Sequence, residues 1–84
     1  MALPVLGIDI AKQSYQVTLR VGNRLQRHTF ANQADQFQEL SAWLLQQGVK
    51  QCHACMEATN RYWEDLASYL YAQGHTVSVI NPAR

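Results

Sequence analysis

The sequence predicts an α/β domain built on one mixed five-stranded sheet with two helices. Three observations lead there. Four short segments are apolar or alternate with period two, a more polar fifth follows a hairpin signal, and two longer ones repeat at spacings of three and four. The first three strand-like segments are joined by short connections, which makes them antiparallel neighbours. The last two each follow a helix, and right-handed crossovers set each of them parallel to its predecessor in the sheet. The expected strand order is third, second, first, fourth, fifth, with the first strand central and the third at an edge.

Each element has its own signals. Val5-Leu6-Gly7-Ile8-Asp9-Ile10 reads as a buried strand that ends in a carboxylate. Ala11 to Ser14 is a short connection, and Tyr15 to Val21 alternates as a half-exposed strand does. Gly22-Asn23 is a two-residue hairpin signal. Arg24 to Phe30 is a third, more polar strand whose charges discourage unwanted edge pairing. Asn32 is placed as an N-cap. Phe37, Leu40 and Leu44 give an amphipathic helix over Gln33 to Gln47, with Gly48 as its C′ residue. Gln51 to Glu57 is the fourth strand. Thr59 or Asn60 caps a second helix, with Glu64 and Asp65 early in it and Tyr62, Leu66, Tyr69 and Leu70 on one face. Gly74 ends that helix, Thr76 to Ile80 is the fifth strand, and Asn81-Pro82 breaks it. Helix-Gln-Gly-strand occurs twice, a half-βαβ rhythm rather than a sequence repeat.

Composition bounds the function. The 84 residues are one domain at most, and 48% apolar with 15% charged residues argues against a disordered chain. A net charge of +1 excludes the strongly basic footprint that by itself announces nucleic-acid binding. No apolar run approaches the roughly 18 residues that a membrane span needs. Asp9 interrupts the N-terminal apolar stretch, which also lacks the basic start of a signal peptide. Two cysteines without a targeting signal point to a reducing cytoplasm. The charge is uneven, however. Residues 10–34 carry Lys12, Arg20, Arg24 and Arg27 and no acid, whereas residues 35–65 carry five acids against Lys50 and Arg61. The first third is thus either an ordinary solvated hairpin or a surface suited to a polyanion.

Asp9 and Glu57 are the two acids at the carboxyl end of an expected buried strand. Ligands collect at that end of parallel strands. Two acids converging in a partly buried cleft repel unless a cation or proton lies between them, and hard divalent cations such as magnesium favour such oxygen ligands. The plainer alternative is a pair of strand-end acids that cap loop amides or face solvent. Asn60 and Arg61 at a helix start would offer amides and a bidentate donor to a phosphate, or simply cap the helix. Cys52-His53-Ala54-Cys55 has the form of a metal or redox motif. Within a strand, though, residues three apart point to opposite faces, so the two sulfurs are read as small buried or half-buried groups. Tyr62, Trp63, Tyr69, Tyr71 and Trp43 are read as core or interface rather than as base-stacking platforms. No serine has a local activating context.

Gly7-Ile8-Asp9-Ile10-Ala11-Lys12 resembles the opening of the DEDD transposases of bacterial insertion sequences, family one hundred and ten. Cys55-Met56-Glu57-Ala58-Thr59-Asn60-Arg61-Tyr62-Trp63 resembles their second acidic motif, and Val77 to Arg84, ending Asn81-Pro82-Ala83-Arg84, resembles the segment after it. The family usually has glycine where this chain has Asn60, which is also a good cap. The resemblance implies an RNase H-like fold of the Holliday-junction-resolvase type. It also implies magnesium- or manganese-dependent cleavage and exchange of DNA strands. Asp9 and Glu57 match the first two of four metal-binding catalytic acids, with Lys12 and Arg61 expected at the rim to contact nucleic acid. Residues 1–84 would be the N-terminal part of the catalytic domain, ahead of the third and fourth acids, and would bind metal weakly and be inactive alone. Expected partners are DNA, a guide RNA in the full-length protein and a second copy of the chain, in the bacterial cytoplasm with no membrane. Two rival readings stand beside it. An actin-like or sugar-kinase-like ATP-binding fragment would need a glycine-rich loop after the first strand, and Ala11-Lys12-Gln13-Ser14 has no glycine. A non-catalytic dimerisation or RNA-binding module is the other.

Overall fold

The computed structural model describes residues 2–59 and 61–81. The strands are β1 (Val5–Ile10), β2 (Ser14–Val21), β3 (Arg24–Ala31), β4 (His53–Glu57) and β5 (Thr76–Ile80). The α-helices are α1 (Gln38–Gln46) and α2 (Glu64–Ala72). The sheet order is β3-β2-β1-β4-β5, as expected. β1 and β2, and β2 and β3, pair antiparallel, whereas β4 lies parallel to both β1 and β5.

The pleat sorts the sheet into two unlike faces. Leu6 and Ile8 of β1, Tyr15, Val17 and Leu19 of β2, Phe30 of β3, and Ala54 and Met56 of β4 are buried on one face. Phe37, Leu40 and Leu44 from around α1 and Leu66, Ala67 and Leu70 from α2 join them in a single core. Both helices therefore lie on the same side. Ser41 Oγ and Tyr69 Oη lie 2.7 Å apart and tie the helices together. No described helix covers the opposite face. It carries Gly7 and Asp9 from β1, Cys55 and Glu57 from β4, and their register partners on the other strands.

Turn and cap chemistry accounts for the connections. The β2–β3 hairpin closes with Val21 paired to Arg24. Gly22 has φ +59° while Asn23 after it does not have a positive φ, which is the sign pattern of a type II′ turn. Both helices end in a Schellman motif. Val49 N–H donates to Leu44 O and Gly48 N–H to Leu45 O; His75 N–H donates to Leu70 O and Gly74 N–H to Tyr71 O. The repeated Gln-Gly is this motif used twice.

The helix starts differ from expectation. In place of one helix from Gln33, a 3₁₀ turn at Ala34–Gln36 precedes α1, and no side chain caps either element. Asn32 is not the cap, because its side-chain amide is engaged elsewhere. Likewise α2 starts at Glu64 with Trp63 as N-cap and no side-chain cap bond, so Thr59 does not cap it and Tyr62 precedes the helix. Asn60 lies outside the described residues, as does the Pro82-Ala83-Arg84 ending. The fourth strand begins at His53, two residues later than expected, because Gln51 and Cys52 belong to the turn that enters it.

Two buried polar groups behave oppositely. Tyr15 is 1% exposed, packs against the rings of Phe30 and Phe37, and its hydroxyl has no hydrogen-bond partner. Burial pushes that phenol well above its ordinary pKa. His75 is also buried, but its Nδ1 accepts the Cys52 N–H at 3.1 Å, which joins the end of α2 to the start of β4. Burial lowers the His75 pKa, so the imidazole stays neutral and Nδ1 stays an acceptor. Burial also raises the Cys52 thiol to about 11, which leaves it protonated and inert.

Tyr15→Phe is expected to keep or raise stability, by up to about 1 kcal/mol, because a buried unsatisfied hydroxyl costs free energy. A fall in the urea midpoint would contradict this. Lowering the pH below the unfolded histidine value of about 6.5 is expected to destabilise the fold, since the unfolded chain then takes up a proton that native His75 refuses. His75→Asn retains an acceptor near Nδ1 and should lose less stability than the parent between pH 7.5 and pH 5.5 in the same urea titrations.

Candidate active site

Asp9 and Glu57 come together because β1 and β4 are parallel neighbours in register. Gly7 pairs with Cys55 and Ile8 with Met56. One residue further along the same register places Asp9 beside Glu57, on strands about 4.8 Å apart. Both strands run in the same direction, so both acids reach the same end of the sheet. They line one cleft of about 510 Å³ together with Gly7, Cys55, Thr59 and Ile80. Gly7 leaves the cleft floor without a side chain. The backbone does not force this, because a Cβ there would stand 3.9 Å from Thr18 O, an ordinary contact.

Both carboxylates are exposed rather than partly buried. The donors in the cleft are hard oxygens, which suits a hard divalent cation in kind. In number they fall short, and among the described residues no group of three or more His, Cys, Asp or Glu side chains is placed to hold a metal. Lys12 and Arg61 are exposed on the loops that follow β1 and β4, and neither lines the cleft. Arg61 lies in the turn before α2 rather than in the helix, so the expected pairing of this arginine with a helix N-terminus does not form.

The cysteine motif resolves as the pleat requires. Cys52 is wholly buried, Cys55 is half-buried in the cleft, and both are free thiols. Between them on β4, the His53 ring nitrogen Nε2 lies 2.6 Å from Ser78 Oγ and bonds β4 to β5 on the uncovered face.

A further residue of the site was not legible in sequence. The Asn32 side-chain amide donates to Ala11 O at 2.9 Å and to Tyr62 O at 3.2 Å. Its backbone N–H donates to Gln13 O. One side chain thus ties the loop after Asp9 to the loop after Glu57, although the two lie about fifty residues apart in sequence. The signal was ambiguous because an asparagine before a helical period reads as a cap.

Comparison with known proteins sharpens the picture. A model of DEDD transposases of the IS110 type, described as transposase, matches residues 6–84. A pilin gene-inverting protein of Moraxella bovis is 36% identical over 84 residues, covering 98% of this chain and 26% of its own length. That of Moraxella lacunata matches with the same figures. The chain therefore spans about a quarter of the length of these curated relatives. Among solved structures, the fowlpox virus resolvase in complex with Holliday junction DNA superposes with a TM-score of 0.62 at 12% identity, covering 98% of this chain and 62% of the resolvase. An Aquifex aeolicus Ppx/GppA enzyme superposes with a TM-score of 0.57 at 15% identity, covering 95% of this chain and 36% of its own. At these identities the likeness is one of fold, and with the strand order it gives the expected RNase H-like arrangement.

Asn32→Ala is expected to leave the fold cooperative but to speed amide exchange in both residues 11–13 and residues 61–63. Exchange in one loop alone, or in neither, would show that the amide does not couple them.

Proposed function

The chain belongs to the DEDD transposases of the IS110 type, and from that premise we propose that it forms the N-terminal part of a catalytic domain for metal-dependent DNA strand cleavage and exchange. The observation that carries the reading is the pairing of β1 with β4, which brings two sequence-distant acids to one cleft at the carboxyl end of the sheet. The Moraxella relatives support it, being named for the inversion of a gene.

In this reading Asp9 and Glu57 would hold magnesium or manganese. The third and fourth acids would come from sequence beyond residue 84, consistent with relatives about four times as long. Bound there, the metal would supply electrostatic stabilisation to the attacking and leaving oxygens of a phosphodiester. The chain's own residues have simpler tasks. The two carboxylates fix a concentrated negative charge at the strand ends, Gly7 keeps the floor open, and Asn32 holds the two loops at the rim. Lys12 and Arg61, on those loops, would neutralise phosphates flanking the reacting one. DNA is the proposed substrate, with a guide RNA and a second copy of the chain as partners in the full-length protein. The proposed setting is the bacterial cytoplasm; among the described residues no helix is long and apolar enough to cross a membrane.

Asp9→Ala and Glu57→Gln in the full-length protein are each expected to abolish recombination while leaving the folding transition within about 0.5 kcal/mol, as for exposed positions. The chain itself should bind magnesium only in the millimolar range and should not cut DNA, because two carboxylates supply too few of the six oxygens that magnesium takes. Recombination at the parental level in either variant would remove the catalytic assignment.

A further inference from the structure

The uncovered face of the sheet has two unlike halves. On the β1, β4 and β5 side it presents Val5, Cys55 and Ile80 around the acidic cleft. On the β2–β3 hairpin it presents Gln16, Thr18, Arg20, Leu25, Arg27 and Thr29, all polar or cationic except Leu25. The register fixes this assignment. Arg27 pairs with Thr18, which pairs with Gly7; Leu25 pairs with Arg20, which pairs with Val5. Gln16 pairs with Asp9 itself.

Arg20 and Arg27 are exposed, and among the described residues neither has an ion-pair partner. Residues 10–34 contain no acid at all. The only acids within the five strands are Asp9 and Glu57, at the far end of the same face. From the strand spacing and rise, the Arg27 Cα lies roughly 12 Å from that of Asp9 and the Arg20 Cα roughly 14 Å, both toward the hairpin turn. Two unneutralised guanidiniums, with the polar Gln16, Thr18 and Thr29 beside them and exposed Val5 and Leu25 flanking Arg20, lead away from a cleft for a phosphodiester and match the charge of a continuing phosphate backbone. The third hairpin arginine serves as a built-in contrast: Arg24 pairs with Val21, which packs toward the core, so it lies on the helix side of the sheet.

We propose that Arg20 and Arg27 form a phosphate track for the DNA strand whose phosphodiester lies at Asp9 and Glu57. The track rests on the catalytic reading given above for its direction and its occupant. It reads no bases and sets the path of the strand, so it contributes affinity that is independent of sequence and sensitive to salt.

The test is fluorescence anisotropy of the chain with a labelled single-stranded DNA oligonucleotide, titrated across salt concentrations in EDTA so that no metal contributes. Arg20→Gln and Arg27→Gln are each expected to weaken binding for every oligonucleotide sequence and to lower the slope of log affinity against log salt by about 0.7. Arg27→Lys should restore most of the slope. Arg24→Gln changes net charge equally and should leave the slope unchanged. Equal losses for Arg24→Gln and Arg27→Gln would reduce the effect to net charge and overturn the track. Unchanged slopes for Arg20→Gln and Arg27→Gln, no binding by the parent chain, or tighter binding of RNA of the same sequence would overturn it as well. The acidic site is read separately in the full-length protein through Asp9→Asn with and without manganese. Recombination at the parental level by Asp9→Asn would strike the catalytic reading while leaving the arginine result standing.

Discussion

The parallel pairing of β1 with β4 is the contact on which the rest of the molecule depends. It is the one place where the N-terminal hairpin unit meets the helix-strand unit inside the sheet, and it does so at the centre. On one face it sets Leu6 and Ile8 beside Ala54 and Met56, all buried under the helices. On the other it sets Asp9 beside Glu57. The apolar half of this pairing offsets the cost of holding two like charges close together, because burial of apolar surface is the dominant favourable contribution to folding. A slip of one residue in β4 would turn Met56 outward and Glu57 into the core, so register and site stand or fall together.

The surroundings of this pairing are built to hold it. Two Schellman closures return the chain from α1 and α2 into β4 and β5 at fixed angles. His75 adds a buried side chain that accepts a backbone N–H at the entrance of β4, and it does so only while neutral. At the opposite end Asn32 joins the loops that leave β1 and β4. The site therefore sits on strand ends clamped from both directions, on the sheet face that no described helix covers. Side chains on rigid strand ends, with the adjoining loops fixed by hydrogen bonds, keep their relative placement without being buried.

Asp9 and Glu57 show how much of the site could be read from residues alone. Each is a carboxylate at the end of an apolar run, and the β-β-β-α-β-α-β order with right-handed crossovers makes those runs neighbours. Their convergence was therefore legible. Their exposure was not, since burial depends on what covers the cleft. Arg61 was misplaced because helix starts are weakly encoded where no side chain caps the first turn. Asn32 was misread for a related reason: the same amide that can cap a helix can instead reach two distant carbonyls, and only the fold brings Ala11 and Tyr62 within its range.

The sequence by itself determined what depends on local chemistry. Hydrophobic period, Gly22 in the hairpin and the glycines after the helices set the elements, and chain order with fixed handedness set the sheet. Only the tertiary structure decided what depends on distance between residues far apart in the chain. It separated Arg20 and Arg27 from Arg24 by the pleat and joined two loops through Asn32. It also left Tyr15 without a partner while giving His75 one. Local propensities act over a turn or two of chain, whereas contacts across the sheet form only once every strand has taken its register.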